Sequence, residues 1–215
     1  MTSLQKNILL KTLKQYKLCG IDYIEDINIT KLNANLKKLP DTFGKLEEFT
    51  KNCNLCNLSK DKISCGFGSG NHSSEIFIVG VSQYQLENEA VYTMLKNMLE
   101  KVLMIDMEDV FLTNILKCTT KEEYKKLDNE INLCIDYLKK QISIAKPKLI
   151  ITMGDAFNYL LEKNENINDI SGNLYRYNNI KTIPILHPQF VYKNPSFKQQ
   201  SFNDLKKIKL ILEKL

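Results

Sequence analysis

Four cysteines in two separated groups are the residues of this chain best suited to chemistry. Cys53 and Cys56 stand at C-x-x-C spacing, and Cys118 and Cys134 lie far downstream with fifteen residues between them. Thiolates from two such places can converge on one zinc ion or one iron–sulfur cluster, and spacing alone does not separate the two. Of the six cysteines, Cys19 and Cys65 read as small apolar packing residues. Two further side chains point to ligand chemistry. Asn114 is an amide inside the apolar run FLTNIL, where it costs free energy unless it pairs with something. His187 follows the apolar run TIPIL and precedes Pro188, so it sits at a strand mouth, where α/β proteins place ligand-contacting groups. Such a histidine can hold developing negative charge. The glycine turn Gly66-Phe67-Gly68-Ser69-Gly70 offers unobstructed amides, either as a phosphate cradle or as a tight connection into the strand IFIVG.

These groups need elements to carry them. Residues 3–18 have helical apolar spacing, 21–40 read as a linker with a short helix, and Asp41 looks like the N-cap of a helix through about Lys51. That helix delivers Cys53 and Cys56. IFIVG, DVFLTNIL, KPKLIITMG and TIPIL are strand candidates. Helices are expected over Val91–Leu103, from about Asn129, over DAFNYLLEK and from about Ser196 to Leu215, with a hairpin within 170–182. Alternating strands and helices predict a three-layer α/β/α sandwich with a mainly parallel central sheet. The expected division is an N-terminal helical extension over 1–40 and one α/β domain over 41–215.

The chain has 215 residues, 43% of them apolar and 26% charged, which is globular rather than disordered composition. Its net charge of +5 comes almost wholly from lysine, Arg176 being the sole arginine. Charge alone fits a solvated lysine surface as well as a polyanion partner, and any DNA contact would hold the backbone more than read bases. No apolar run is long enough to span a bilayer, and no secretory leader pattern is visible. A monomer in a reducing cytoplasm is therefore expected, with its cysteines serving ligation rather than disulfides.

Taken together, Cys53/Cys56, Phe67-Gly68-Ser69-Gly70, FIVG, LTNILKC, Cys134 and HPQFVYKNP resemble the pattern of the iron–sulfur uracil-DNA glycosylases known as family 4. KPKLIITMGDAF is similar to a further stretch of that family, and the likeness runs from about residue 45 to the C-terminus. The resemblance implies a [4Fe-4S] cluster on Cys53, Cys56, Cys118 and Cys134. It also implies DNA as partner and hydrolysis of the N-glycosidic bond of a flipped uracil. Asn114 would then read the uracil edge beside Gly80, Phe67, Tyr84 and Tyr92, and His187 would stabilise the departing base. Pro188, Phe190 and Tyr192 would enter the duplex, and Lys193, Gly68 and Gly70 would meet phosphates.

The first motif departs from that pattern. The family's GEAPG is here Gly80-Val81-Ser82-Gln83-Tyr84, continuing Gln85-Leu86-Glu87-Asn88, with the later PFVG portion deleted. Val81 replaces the acid, Gln83 the proline, and the stacking phenylalanine has no aligned partner. Glu87 falls where the motif's later acid belongs, so Glu87 and Ser82 are the remaining candidates to orient water and support a cationic sugar. Two readings follow, a slow or retargeted glycosylase and a cluster-bearing protein that recognises altered bases without cleaving them. The retained Asn114 and His187 favour the first.

Overall fold

The computed structural model describes residues 39–120 and 127–213, together with residues 9–11, 13, 14 and 17. Those few N-terminal positions are helical, in keeping with the helix expected there. The linker expected over 21–40 lies, apart from Leu39 and Pro40, outside the described residues. Helix α1 (Phe43–Lys51) begins two residues after Asp41, the position expected to cap it. Thr42 occupies the N-cap, and Asp41 pairs with Lys140 instead. Short strands β1 (Ser64–Cys65) and β2 (Ser69–Gly70) follow, then β3 (Ile76–Gly80). Helix α2 (Glu89–Asn97) is capped by Asn88, whose Oδ1 accepts from the amides of Ala90 and Val91, and it runs on as a π-helical turn over Met98–Leu103. The chain continues through β4 (Phe111–Asn114), β5 (Cys118–Thr119), α3 (Asp128–Ala145), β6 (Leu149–Met153), α4 (Ala156–Leu161) and α5 (Ile167–Ile170). It closes with β7 (Tyr175–Tyr177), β8 (Ile180–Ile185), α6 (Pro188–Lys193) and α7 (Lys198–Leu212).

The main sheet has the order β2-β4-β3-β6-β8-β7. Its four central strands are parallel and its two edges antiparallel, while β1 and β5 form a separate two-stranded ribbon. The central strands read as unbroken apolar runs because both of their faces are covered. Ile78, Leu112, Ile151 and Ile183 point to the side packed by α2, α6 and α7. Phe77, Val79, Phe111 and Ile150 alternate to the opposite side, against α1, α3 and α4. The α/β/α sandwich expected from the sequence is the architecture observed. The β7–β8 hairpin turns at Asn178 and Asn179, both at positive φ, as a two-residue type I′ loop requires. Among the described residues no helix is long and apolar enough to cross a membrane.

Two elements differ from expectation. Residues 188–193, expected to enter the duplex but assigned no element from the sequence, form α6, with Pro188 in the first helical turn where its missing N–H costs nothing. The glycine turn is an edge strand, Ser69 and Gly70 pairing with Leu112 and Phe111. Gly70 has φ +85°, and a Cβ there would lie 2.2 Å from the Val110 carbonyl, so glycine is required.

The sheet depends on Phe77, fully buried with its ring 4.9 Å from that of Phe111. Phe77→Ala is expected to cost about 3–5 kcal/mol in urea unfolding through the cavity it leaves. A loss below about 1 kcal/mol would show that this face is not the core.

Candidate active site

The parallel register sets the site. Gly80 at the end of β3 lies opposite Asn114 at the end of β4, and β3, β6 and β8 run side by side to Met153 and Ile185. Asn114 and His187 therefore stand at the same C-terminal edge of the sheet. Three interstrand steps separate their strands, roughly 14 Å between backbones. Gly80 leaves room for the amide, since a Cβ there would fall 2.4 Å from Asn114 Oδ1. Gly154, at φ +57°, makes the corresponding space for His187, whose Cβ a side chain at 154 would meet at 3.2 Å.

Both side chains are buried, and each has a polar atom without a partner among the described residues, Asn114 Oδ1 and His187 Nε2. Their hydrogen-bonding senses are opposite. His187 Nδ1 accepts from the Gln189 amide at 3.1 Å, so in the neutral ring the proton sits on Nε2. Burial pushes the imidazole down to about 4, so near neutral pH it is an uncharged donor. The edge thus holds one unpaired acceptor and one unpaired donor, each fixed from behind.

A cavity of about 260 Å³, near the lower end of the range for small-ligand sites, opens beside Asn114. Of the residues singled out in the sequence, Phe67, Gly68, Glu87, Tyr92 and Asn114 line it. His187, Gly80, Ser82 and Tyr84 do not. Ser82 has another task, its Oγ accepting from the Tyr84 amide to cap the 3-10 turn Gln83–Leu86 that presents Glu87. In α6, Pro188 and Val191 are buried, Phe190 packs on Phe197, and Tyr192 and Lys193 face solvent. The Gly66 amide donates to Lys117 O, and Ser69-Gly70 belong to the sheet.

Sequence reading missed three neighbours of the cavity. Gln83 and Cys65 line it, and Cys65 sits directly across the β1–β5 ribbon from Cys118. Lys117, only 2% exposed, lies behind Asn114, and burial pulls its ammonium down to about 7. A lysine inside the apolar run NILKC was the available signal.

The four cysteines come from α1's exit, the following 3-10 turn, β5 and α3, and lie within electrostatic reach of one another. Cys56 and Cys118 share a sulfur hydrogen bond, and Cys134 feels the charges of Cys56 and Cys53. That bond draws the Cys56 thiol down to about 7 and raises Cys118, while burial lifts Cys134 to about 12. The Leu58 and Ser59 amides donate to the Cys56 sulfur, the Lys117 amide donates to that of Cys134, and Tyr137 bonds Cys53. Lys11 holds the same loop, donating to the Asn54 carbonyl at 2.7 Å. Among the described residues no three histidine, cysteine or acidic side chains are drawn in tightly enough to hold a single metal ion.

Comparison with known proteins settles the kinship. Residues 67–206 match the model of the uracil DNA glycosylase superfamily. The chain belongs to that superfamily. It is 28% identical over 187 residues to the type-4 uracil-DNA glycosylase of Saccharolobus solfataricus, covering 79% of this chain and 86% of that one. Against the type-4 uracil-DNA glycosylase of Archaeoglobus fulgidus it is 29% identical over 171 residues, 73% of this chain and 86% of the relative. It is also 29% identical over 153 residues to a DNA polymerase of Bacillus phage SP01, covering 68% of this chain and 17% of the polymerase. The superfamily match takes in the glycine turn, Asn114, His187 and α6, but begins downstream of Cys53 and Cys56.

The buried imidazole makes a prediction about stability. An unfolded chain takes up the His187 proton below about pH 6.5, the folded chain only near 4, so the unfolded state binds more protons across that interval. Stability should fall as pH drops through it, by up to about 3 kcal/mol. Urea unfolding of wild type and His187→Gln between pH 7 and 4.5 measures this, and equal pH slopes for the two proteins would refute it.

Proposed function

We propose that the chain removes uracil from DNA by hydrolysing the bond between uracil N1 and deoxyribose C1′ of a nucleotide turned out of the helix. The observation that carries this is the pair of buried, unpartnered and oppositely polar atoms at one sheet edge, Asn114 Oδ1 and His187 Nε2. Uracil presents N3–H as donor and O2 as acceptor, which complements them. Cytosine presents a bare N3, so two acceptors would face each other at Asn114, an arrangement that selects strongly against it.

In this mechanism Phe67 and Tyr92 wall the base, and Asn114 holds its edge. As the C1′–N1 bond breaks, the electron pair passes into the ring and negative charge grows on O2. The neutral imidazole of His187 stabilises that charge by donating from Nε2 without giving up the proton. Water forms the new C1′–O bond, and Glu87 at the cavity wall is positioned to orient it and accept its proton. Ser82 serves by fixing the turn that carries Glu87. Tyr192, 47% exposed on α6, is the side chain free to fill the space the flipped nucleotide leaves.

We also assign a [4Fe-4S] cluster to Cys53, Cys56, Cys118 and Cys134. Four interacting thiols are the donor set such a cluster takes, one cysteine to each iron. The amides of Leu58, Ser59 and Lys117 already bonded to sulfur are the outer contacts that tune one. When bound, the cluster supplies a rigid cross-link between the loop after α1, the β5 ribbon and α3. Anaerobically purified protein should be brown. Cys118→Ser is expected to lose most of its visible absorbance and iron, whereas full retention of both would remove Cys118 from the ligand set.

A second reading, recognition of an altered base without cleavage, draws on one feature. Val81, half-buried against the core, stands where the family has an acid. Incubation with U:G, U:A and single-stranded uracil oligonucleotides followed by alkali decides between the two. Strand breaks at uracil are expected, with His187→Ala reducing the rate about 10²–10³-fold. Retained affinity for uracil-containing DNA with no breaks on any substrate would establish the binding reading instead.

A further inference from the structure

The side chain that places Asn114 is Lys117, and its contacts reach well beyond that residue. Lys117 Nζ donates to the Asn114 carbonyl at 2.6 Å, to Gln141 Oε1 at 2.7 Å and to Thr113 Oγ1 at 2.8 Å. Three donors meet three acceptors, so the ammonium is fully satisfied with only 2% of the residue exposed. The second row of bonds converges on the Phe67 carbonyl, which accepts from Gln141 Nε2 at 2.8 Å and from Thr113 Oγ1 at 2.9 Å. The main chain of residue 117 extends the same web. Its carbonyl accepts from the Gly66 amide at 2.8 Å, and its own amide donates to the Cys134 sulfur.

Packing alone does not call for a lysine here. A fully buried position between β4 and α3 takes an unbranched apolar side chain of similar volume at lower desolvation cost. What an apolar residue lacks is the means to lock two separate walls of one cavity, Asn114 from β4 and Phe67 from the glycine turn, to the helix that carries Cys134. We infer that Lys117 is a positioning residue for uracil recognition, holding Asn114 and Phe67 at a fixed separation and referring both to the cysteine-bearing side of the sheet. It touches neither base nor sugar. The inference rests on the uracil-excision reading of the site.

The test is a double-mutant cycle between Lys117→Met and Asn114→Ala, read as the single-turnover rate of uracil excision from a U:G duplex. Hydrogen exchange of the 64–70 segment is measured in parallel. Lys117→Met should slow excision by ~30–100-fold, the scale of a misplaced contact, while affinity for undamaged duplex stays within about twofold. In the Asn114→Ala background the same change should cost less than about threefold, because its effect passes through the amide already removed. Exchange at 66–70 should rise at least tenfold in Lys117→Met and in Gln141→Leu, which cuts the web from α3. Gln141→Leu also replaces Lys117→Met in the cycle should the latter not fold. Equal costs in both backgrounds, or unchanged exchange at 66–70, would overturn the inference. A wild-type protein that excises no uracil would defeat the uracil reading by itself, and the exchange measurement would still decide whether Lys117 holds the wall.

Discussion

Everything at the site follows from one register, Gly80 opposite Asn114 in adjacent parallel strands. Sliding β4 by one residue would turn Asn114 to the other face of the sheet and bring an apolar neighbour to the edge. A side chain at position 80 would collide with the amide oxygen. The fold therefore keeps an acceptor unpaired inside the protein, at a cost of about 1–3 kcal/mol for an unmet buried polar group. Such an expense is tolerated where it leaves a preorganised atom for a ligand, one that need not shed water or reorient when the ligand arrives. Gly154 and His187 repeat the device on the next two strands of the sheet, a glycine ending one strand making room for a polar side chain beyond the next.

The two faces of the sheet contribute differently. On the side of α1, α3 and α4, the cysteines, Gln141 and Lys117 form a polar seam through an otherwise apolar core, and that seam reaches the edge at Asn114 and Phe67. On the other side, α2, α6 and α7 pack apolar surface under His187 and leave the imidazole little solvent. The first arrangement fixes geometry and the second fixes charge state. A protonated imidazole in that pocket would bring its own desolvation cost, whereas a neutral one donates a hydrogen bond at no such expense.

Much of this was legible in the chain. IFIVG, KPKLIITMG and TIPIL announce buried parallel strands because both of their faces are apolar, and a polar residue at the end of such a run has to answer to something. Asn114 and His187 were visible for that reason. The edge strand Ser69–Gly70 was not, since two small residues carry no periodicity and their pairing is decided by β4. Helix α6 was not among the expected elements, being too short to show a period, although Pro188 behind a capping residue is itself a helix-start signal. Ser82 stands out in the sequence by its place in a motif, whereas the turn that its hydroxyl caps shows only in the fold. Lys117 escaped notice because a charge at the end of a strand usually marks the way out to solvent, and only tertiary contacts reveal that it folds back inside.

The shortened first loop shifts weight within the chemistry. With Val81 turned toward the core, the carboxylate nearest the cavity is Glu87, exposed at the end of a single 3-10 turn. Two opposite charges 4 Å apart gain only about 1 kcal/mol in water and about 4 kcal/mol at the edge of a protein. In the proposed mechanism Glu87 would therefore support a cationic sugar well only after bound DNA has driven water from the cavity. The proposed His187–uracil contact would have no such requirement, because its donor is already buried in the protein. On that mechanism transition-state stabilisation would be weighted toward the leaving base, and the strength of the remaining half would depend on how completely a duplex closed over Glu87 and Tyr92.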